Sequence, residues 1–360
     1  MCKTQCVIGF VIRKLSLFCN FEKIIGHKRT MRTSYVISTL LAVIAVSCSF
    51  SSKGKDARKT NEQPSFNVEM TFNADSAYRY IERQVDFGPR VPGSDSHLNC
   101  QSYLVGELLR HGADTVLQQK TTLTAYTGMK LPINNIMGRF NEDTQKRVLL
   151  LAHWDCRPWA DNDPDVDNRD KPVPGANDGA SGVGVLLEIA RQLNIKRPDI
   201  GVDILFVDAE DAGRSEGFGS SEDTWCLGTQ YWLDNMPYAD GVMPVYGILL
   251  DMVGGINARF YREYISDQYA EDLNSKVWAI AEASGYGEIF PNQQGGGIVD
   301  DHMFVNRAGI PCIDIVECSN HETGTFPPYW HTLKDDMSKI DRSRLKAVGQ
   351  TVLNVIYLER

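Results

Sequence analysis

Arg147-Val148-Leu149-Leu150-Leu151-Ala152-His153-Trp154-Asp155 is the stretch on which the fold class turns. Residues 148–152 are apolar without alternation. That pattern predicts a strand buried on both faces, as in the middle of a parallel sheet. Ionisable groups follow where the strand ends. The same grammar recurs at residues 202–207, which run into Asp208-Ala209-Glu210-Asp211, and at residues 245–250, which end at Asp251.

Working outward, Ala77, Tyr80, Ile81 and Gln84 have helical spacing, so a helix is expected over 75–85. A second is expected over about 96–111, stopped at Gly112. Strands are predicted near 115–125 and 133–139. Gly179 opens an apolar helix reaching about Leu193. A short helix over 228–235, an amphipathic helix over 267–284, a strand over 312–316 and a closing helix over 341–358 complete the pattern. Strands alternate with helices, and there is neither an internal repeat nor a domain-sized linker. The class is therefore α/β, one domain, with a largely parallel sheet.

In open α/β sheets, ligands bind beyond the carboxyl ends of the strands. Five ionisable clusters are expected there: His153-Trp154-Asp155, Asp178, Glu210-Asp211, Asp251 and Asp300-Asp301-His302. Trp330-His331 follows the last strand. A single strand-end acid is often only a helix cap, the bland reading of Asp178. So many acids at one edge would repel one another unless a cation lay between them. Carboxylate and imidazole donors without thiolates suit a catalytic zinc that keeps an open position.

Three decoys are set aside. Asp161, Asp163, Asp165 and Asp167 alternate like a calcium loop, but Pro164 interrupts them and the required Gly and Glu are missing. Ser181 in Gly179-Ala180-Ser181-Gly182 lacks the full nucleophile-elbow pattern. Gly295-Gly296-Gly297 reads as a tight turn.

Composition bounds the rest. With 42% hydrophobic and 23% charged residues, the chain is not a disordered one. Residues 1–47 hold seven basic residues and one acidic, a net +6; the whole chain is at −9, so the remainder stands at −15. So acidic a body has no means to neutralise phosphates, which excludes nucleic acid as a partner. Nine cysteines include no CxxC pair, and five (Cys100, Cys156, Cys226, Cys312 and Cys318) fall in the body, allowing at most two disulfides and a free thiol.

The N-terminus reads as an export signal over 1–47. Met31 offers the true start, residues 35–46 form an apolar core too short to span a bilayer, and Ala45-Val46-Ser47-Cys48 resembles a lipoprotein box, although Ala45-Val46-Ser47 also suits ordinary signal cleavage after Ser47. Cys48 is then the acylated residue and 48–70 a tether, ahead of a catalytic domain over 71–360. The expected location is periplasmic, anchored to the membrane by lipid, and the expected state a monomer.

Taken together, Gly88-Pro89-Arg90-Val91-Pro92-Gly93-Ser94, His153-Trp154-Asp155, Gly175-Ala176-Asn177-Asp178-Gly179-Ala180-Ser181-Gly182, Glu210-Asp211, Leu250-Asp251-Met252 and Trp330-His331-Thr332 resemble the M28 metallopeptidase family over about residues 75–358. The resemblance implies a twisted, mixed, mostly parallel sheet with helices on both faces, as in the zinc aminopeptidases. It implies that Asp178, Asp211 and His331 bind one zinc and that Glu210 is the general acid and base. In the family's two-zinc aminopeptidases, His153, Asp178 and Asp251 would hold a second metal; His153 and Asp155 fall at or behind that position.

Trp330, Phe326 and the Asp300-Asp301-His302 run resemble the family's glutaminyl cyclases more closely. In these, Asp251 and Asp300 form a carboxylate network with Glu210, and Trp330 and Phe326 wall the substrate pocket. Trp225 would add an indole after an insertion at 212–224. Val299 departs from the Gln of animal cyclases, and Asp211 from their Glu. The implied activity is cyclisation of N-terminal Gln on peptides, with one zinc per chain. Its rivals are a two-zinc aminopeptidase and a non-catalytic binding protein on the same fold.

Overall fold

The computed structural model describes residues 69–215, 221–239 and 242–359. The export signal, Cys48 and all but the last two residues of the expected tether lie outside them. Six strands form one sheet: β1 (Thr115–Thr124), β2 (Lys130–Phe140), β3 (Arg147–His153), β4 (Gly201–Val207), β5 (Tyr246–Leu250) and β6 (Cys312–Ile315), in the order β1-β2-β4-β3-β5-β6. β4, β3, β5 and β6 run parallel, while the β1–β2 hairpin joins the β4 edge antiparallel. The sheet is thus mixed and mostly parallel, as expected.

Alternate strand residues feed two cores. Val148, Leu150, Ala152, Ile204, Phe206, Ile248 and Leu250 point to one face, with buried residues of α1 (Ala74–Asp86), α2 (Asp95–Arg110), α3 (Ala180–Ile195), α5 (Tyr264–Ala283) and α7 (Arg342–Leu358). Leu149, Leu151, Leu205, Val207 and Leu249 point to the other, against Trp232 of α4 (Leu227–Asp234) and Val305 of α6 (Asp301–Arg307). This two-sided burial is why the strands read as continuous apolar runs. Each large side chain so buried contributes about 1.5–3 kcal/mol.

The chain leaves β3 for β4 on one side, then crosses to β5 on the other. β3 is therefore the switch point of the sheet, where a crevice opens at the strand ends. Register aligns those ends: His153 lies opposite Val207, and Leu250 opposite Ile315. The predicted elements all form, within a few residues. α6 was not predicted, although Asp300 caps it and Gly309 follows it. α5 starts at Tyr264 rather than 267, because Glu263 accepts from the Ile265 and Ser266 amides. The five body cysteines are free and buried.

Candidate active site

Three of the four parallel strands deliver an ionisable residue to the crevice. His153 is the last residue of β3, Glu210 and Asp211 follow β4, and Asp251 follows β5. Asp178 arrives from the turn before α3. It is not a helix cap: Gly179 occupies that position and no side chain bonds there. His331 Nε2 lies 3.0 Å from Asp211 Oδ1 and 3.6 Å from Asp178 Oδ2. His153 Nε2 lies 3.0 Å from Asp178 Oδ1 and 3.1 Å from Asp251 Oδ1. Two trios therefore share Asp178, and within each the donor atoms lie within 4.8 Å of one another.

A layer of polar groups holds these residues in place. The Asp155 carboxylate accepts from the backbone amides of Glu210 and Asp211, at 3.1 and 3.3 Å. Asp335 does the same for Asn177 and Asp178, at 2.9 and 3.1 Å. Asp161 lies 3.5 Å from His331 Nδ1 and is gripped by Arg157 at 2.6 and 2.8 Å. Arg90, fully buried, donates to the carbonyls of Trp154, Pro174 and Gly175, tying the loops of Asp155 and Asp178 together. Gly182 permits the approach of α3, since a Cβ there would stand 2.0 Å from the Leu250 carbonyl.

Nothing in the sequence gives a supporting role to Asp335 or Arg157, and Arg90 stands there only as part of the Gly88–Ser94 motif. Asp161 was set aside with the calcium decoy, and no calcium-like cluster forms among the described residues of that loop. Six described non-glycine residues have a left-handed backbone. Four of them, Ala209, Cys226, Met252 and His331, are ligand-trio residues or neighbours of the site. Such conformations cost about 1–3 kcal/mol each and persist where surroundings over-determine them.

Beside the trios lies a basin of buried acids: Glu210, Asp251, Asp300, Asp301 and Asp314. Burial pushes Glu210 well above the usual carboxylate range. Asp211, Asp300 and Asp301 push it further, and His153 opposes them. Burial, Asp251 and Asp301 raise Asp300 likewise. Burial, then Asp300 and Asp251, raise Asp314. The Cys226 thiol donates to Glu210 Oε1 at 3.4 Å. His302 is not at the site surface; it is fully buried, with Nε2 3.0 Å from Glu263.

A cavity of about 260 Å³ opens over Asp178, Asp211, Glu210 and Asp300. Trp330, Phe326 and Trp225 form its aromatic walls. The Trp330 and Phe326 rings stand 4.3 Å apart, and the Trp225 ring is stacked 6.2 Å from His331. Trp225 is fixed by donating from its indole to the Arg214 carbonyl at 3.1 Å. Trp330 and Phe326 also pack on Met252, Ile298, Val316 and Cys318. Core packing and pocket lining are thus both true of them. Val299 reaches the cavity as well.

Asp178, Asp211 and His331 fit a divalent metal. Asp211 Oδ2 is buried without a hydrogen-bond partner. Burial and Asp178 raise Asp211 to about 6 despite His331 and Arg157. Burial lowers the His331 imidazole, but Asp211 and Asp161 outweigh it and hold the ring toward its protonated form. A cation would displace that proton and satisfy the stranded oxygen. Two carboxylates and an imidazole, with no thiolate, form a donor set suited to zinc.

Comparison with known proteins places this geometry. The model of peptidase family M28 matches residues 135–356, well over half of the chain. A glutaminyl cyclase from Tannerella forsythia is 54% identical, with a TM-score of 0.77, over 81% of this chain and 100% of that one. A glutaminyl cyclase from Bacteroides thetaiotaomicron, solved with N-acetylhistamine, is 52% identical, with a TM-score of 0.77, over 81% and 99%. A protein from the same organism described as a leucine aminopeptidase precursor is 51% identical, with a TM-score of 0.76, over 81% and 99%. With the sheet, the crevice and the paired trios in view, the chain belongs to peptidase family M28.

Proposed function

We infer that this chain is a glutaminyl-peptide cyclotransferase, converting an N-terminal glutamine to pyroglutamate with release of ammonia. The observation that carries the reading is the small aromatic-walled cavity, in which Asp300 stands beside Glu210 next to the metal-competent trio. A glutamine side chain and its own α-amine fill such a space.

Asp178, Asp211 and His331 would hold one zinc per chain. When bound, it supplies Lewis-acid polarisation of the glutamine side-chain carbonyl and stabilises charge on that oxygen. Trp330, Phe326 and Trp225 exclude water and hold the side chain flat. Glu210, kept a strong base by burial and its acidic neighbours, takes a proton from the α-amine. The amine nitrogen bonds to the side-chain carbonyl carbon, and the bond from that carbon to the amide nitrogen breaks. Glu210 returns the proton to the departing nitrogen, which leaves as ammonia. Asp300 and Asp251 orient the amine and Glu210. Both reacting groups belong to one residue, so the site chiefly orients them.

The second trio, His153, Asp178 and Asp251, favours one alternative, a two-zinc aminopeptidase. Incubation with a Gln-initiated peptide should release one ammonia per peptide, while a Leu-aminoacyl substrate stays intact and the protein carries one zinc. Two zincs with hydrolysis of the Leu substrate would reverse the assignment. We also propose that the chain is exported and held in the periplasm as a monomer by an acylated Cys48. Mass spectrometry finding an unmodified mature Cys48 would reject the anchor.

A further inference from the structure

Glu210 has a neighbour of a different kind, a thiol. Cys226 caps α4 in a left-handed conformation, φ 55°, and its side chain makes no capping bond. Its backbone amide donates to the Glu210 carbonyl at 3.0 Å, and the Leu227 amide donates to the Ala209 carbonyl at 3.1 Å. These two bonds lay the start of α4 along the segment after β4. Gly228 permits the approach, since a Cβ there would stand 2.0 Å from the Asp208 carbonyl. The side chain of Cys226 is thereby turned toward Glu210, with Sγ 3.4 Å from Oε1.

Asp300 completes a third trio. One donor atom each from Glu210, Cys226 and Asp300 lie within 4.8 Å of one another, and all three residues are buried. The trio shares no residue with those of His153 and His331, and of the clusters among the described residues it alone contains sulfur. Beside it, Asp301 is fully buried and neither of its carboxyl oxygens has a hydrogen-bond partner. Burial, then the charges of Asp301, Glu210 and Asp300, push the Cys226 thiol up, so all three carboxyls act on it from close by. The spacing suits a metal as well as a proton. Zinc sits about 2.3 Å from sulfur and about 2.0 Å from oxygen, and at a tetrahedral angle this holds the two donors about 3.5 Å apart. The route is open too, because Glu210 and Asp300 line the cavity.

We propose that Glu210, Cys226 and Asp300 form a separate, inhibitory site for a thiophilic divalent cation, zinc in excess or cadmium. Thiolate and carboxylate donors together select such ions over magnesium and calcium. Binding makes one metal–sulfur and two metal–oxygen bonds, and the proton of the thiol leaves to solvent with any held by the two acids. The occupied site takes Glu210 out of proton transfer and Asp300 away from the substrate amine. The inhibition rests on the reading of Glu210 as general base; the binding does not.

The test titrates cadmium into the full chain already carrying one zinc. The first readout, taken without substrate, is the ultraviolet absorbance of a cadmium–thiolate bond, to which Asp178, Asp211 and His331 cannot contribute. The second is ammonia release from a Gln-initiated peptide, with each protein normalised to its own cadmium-free rate. The wild type should gain thiolate absorbance that saturates near one cadmium per chain, and lose most of its rate over the same range. Cys226→Ser and Cys226→Ala should both lack that absorbance and need at least roughly tenfold more cadmium for half inhibition, a lost ligand mattering no less than a lost supporting residue. Magnesium should neither bind there nor inhibit. A wild type without thiolate absorbance would overturn the proposal. So would variants that keep the absorbance or are inhibited like wild type, or magnesium inhibiting as well as cadmium. If cadmium binds through Cys226 but the cadmium-free wild type releases no ammonia, the site stands and the assigned reaction falls.

Discussion

The two ends of the sheet bury the same kinds of residue and treat them in opposite ways. At the amino end of β4, Asp203 is fully buried and met by Arg147 at 2.6 and 2.9 Å, with Tyr238 donating at 3.0 Å and Arg139 at 3.4 Å. Arg147 spends its remaining donors on the carbonyls of Phe140, Asn141, Glu142 and Thr144. Every charge there has a fixed partner. At the carboxyl end, Glu210, Asp211, Asp251, Asp300, Asp301 and Asp314 crowd together, and Asp211, Asp301 and Asp314 keep oxygens with no partner at all. A buried acid matched in place stabilises a fold. Buried acids left unmatched await something that comes and goes: a metal, a proton or a substrate amine.

That contrast breaks most sharply at Glu210. Glu210→Gln should lower kcat by about 10²- to 10⁴-fold, while zinc content and Tm hold or rise, because one of several repelling acids is gone. Ammonia release, metal analysis and thermal unfolding on one preparation check all three. Arg147→Ala is the mirror experiment. It strands Asp203 and should cost about 3–5 kcal/mol of stability, read by denaturant unfolding, with kcat per folded molecule unchanged. If Arg147→Ala also abolished turnover in the folded fraction, the division between the two ends would be wrong. Trp330→Ala acts on the cavity wall, not on either charge cluster. It should raise KM for Gln peptides about tenfold, the scale of losing a hydrophobic pocket contact, with zinc retained.

The sequence made one end of the sheet far more legible than the other. Continuous apolar strands each ending in an acid or histidine announced the crevice, because two-sided burial leaves no alternation to confuse the period. The grouping of Asp178, Asp211 and His331 rests on the resemblance to the M28 family, not on that pattern. The groups behind them had no such guide. Asp335 and Asp161 work through backbone amides and a ring nitrogen that other segments bring to them. No spacing in the chain encodes such meetings. Asp161 was even disguised by its alternating neighbours. Asp335 was hidden among ordinary turn residues after His331. α6 is too short for its period to stand out, although the Asp300 cap and Gly309 mark its two ends. Trp225 lines the cavity, where the resemblance to the cyclases puts it.

Glu317 offers the finest test of the contrast, because it lies just past the carboxyl end of β6 but outside the cluster of crowded acids. It is a single buried acid with one neutral partner, Asn320, while Arg344 and Glu322 act on it only at a distance. Burial is the chief cause that raises it to about 7. Its folded value therefore lies above its unfolded value near 4.5, so the folded protein binds the extra proton. The stability this contributes is fully present below about pH 4.5 and is lost as pH rises through 7. In the wild type this term should remove on the order of 1–3 kcal/mol between those limits. Glu317→Gln cannot titrate and keeps the acceptor, so its curve should be flatter by that amount while its kcat at neutral pH stays near wild type. Denaturant unfolding of both proteins at a series of pH values measures the difference. Parallel curves would mean that Glu317 is charged throughout and matched after all, in the manner of Asp203.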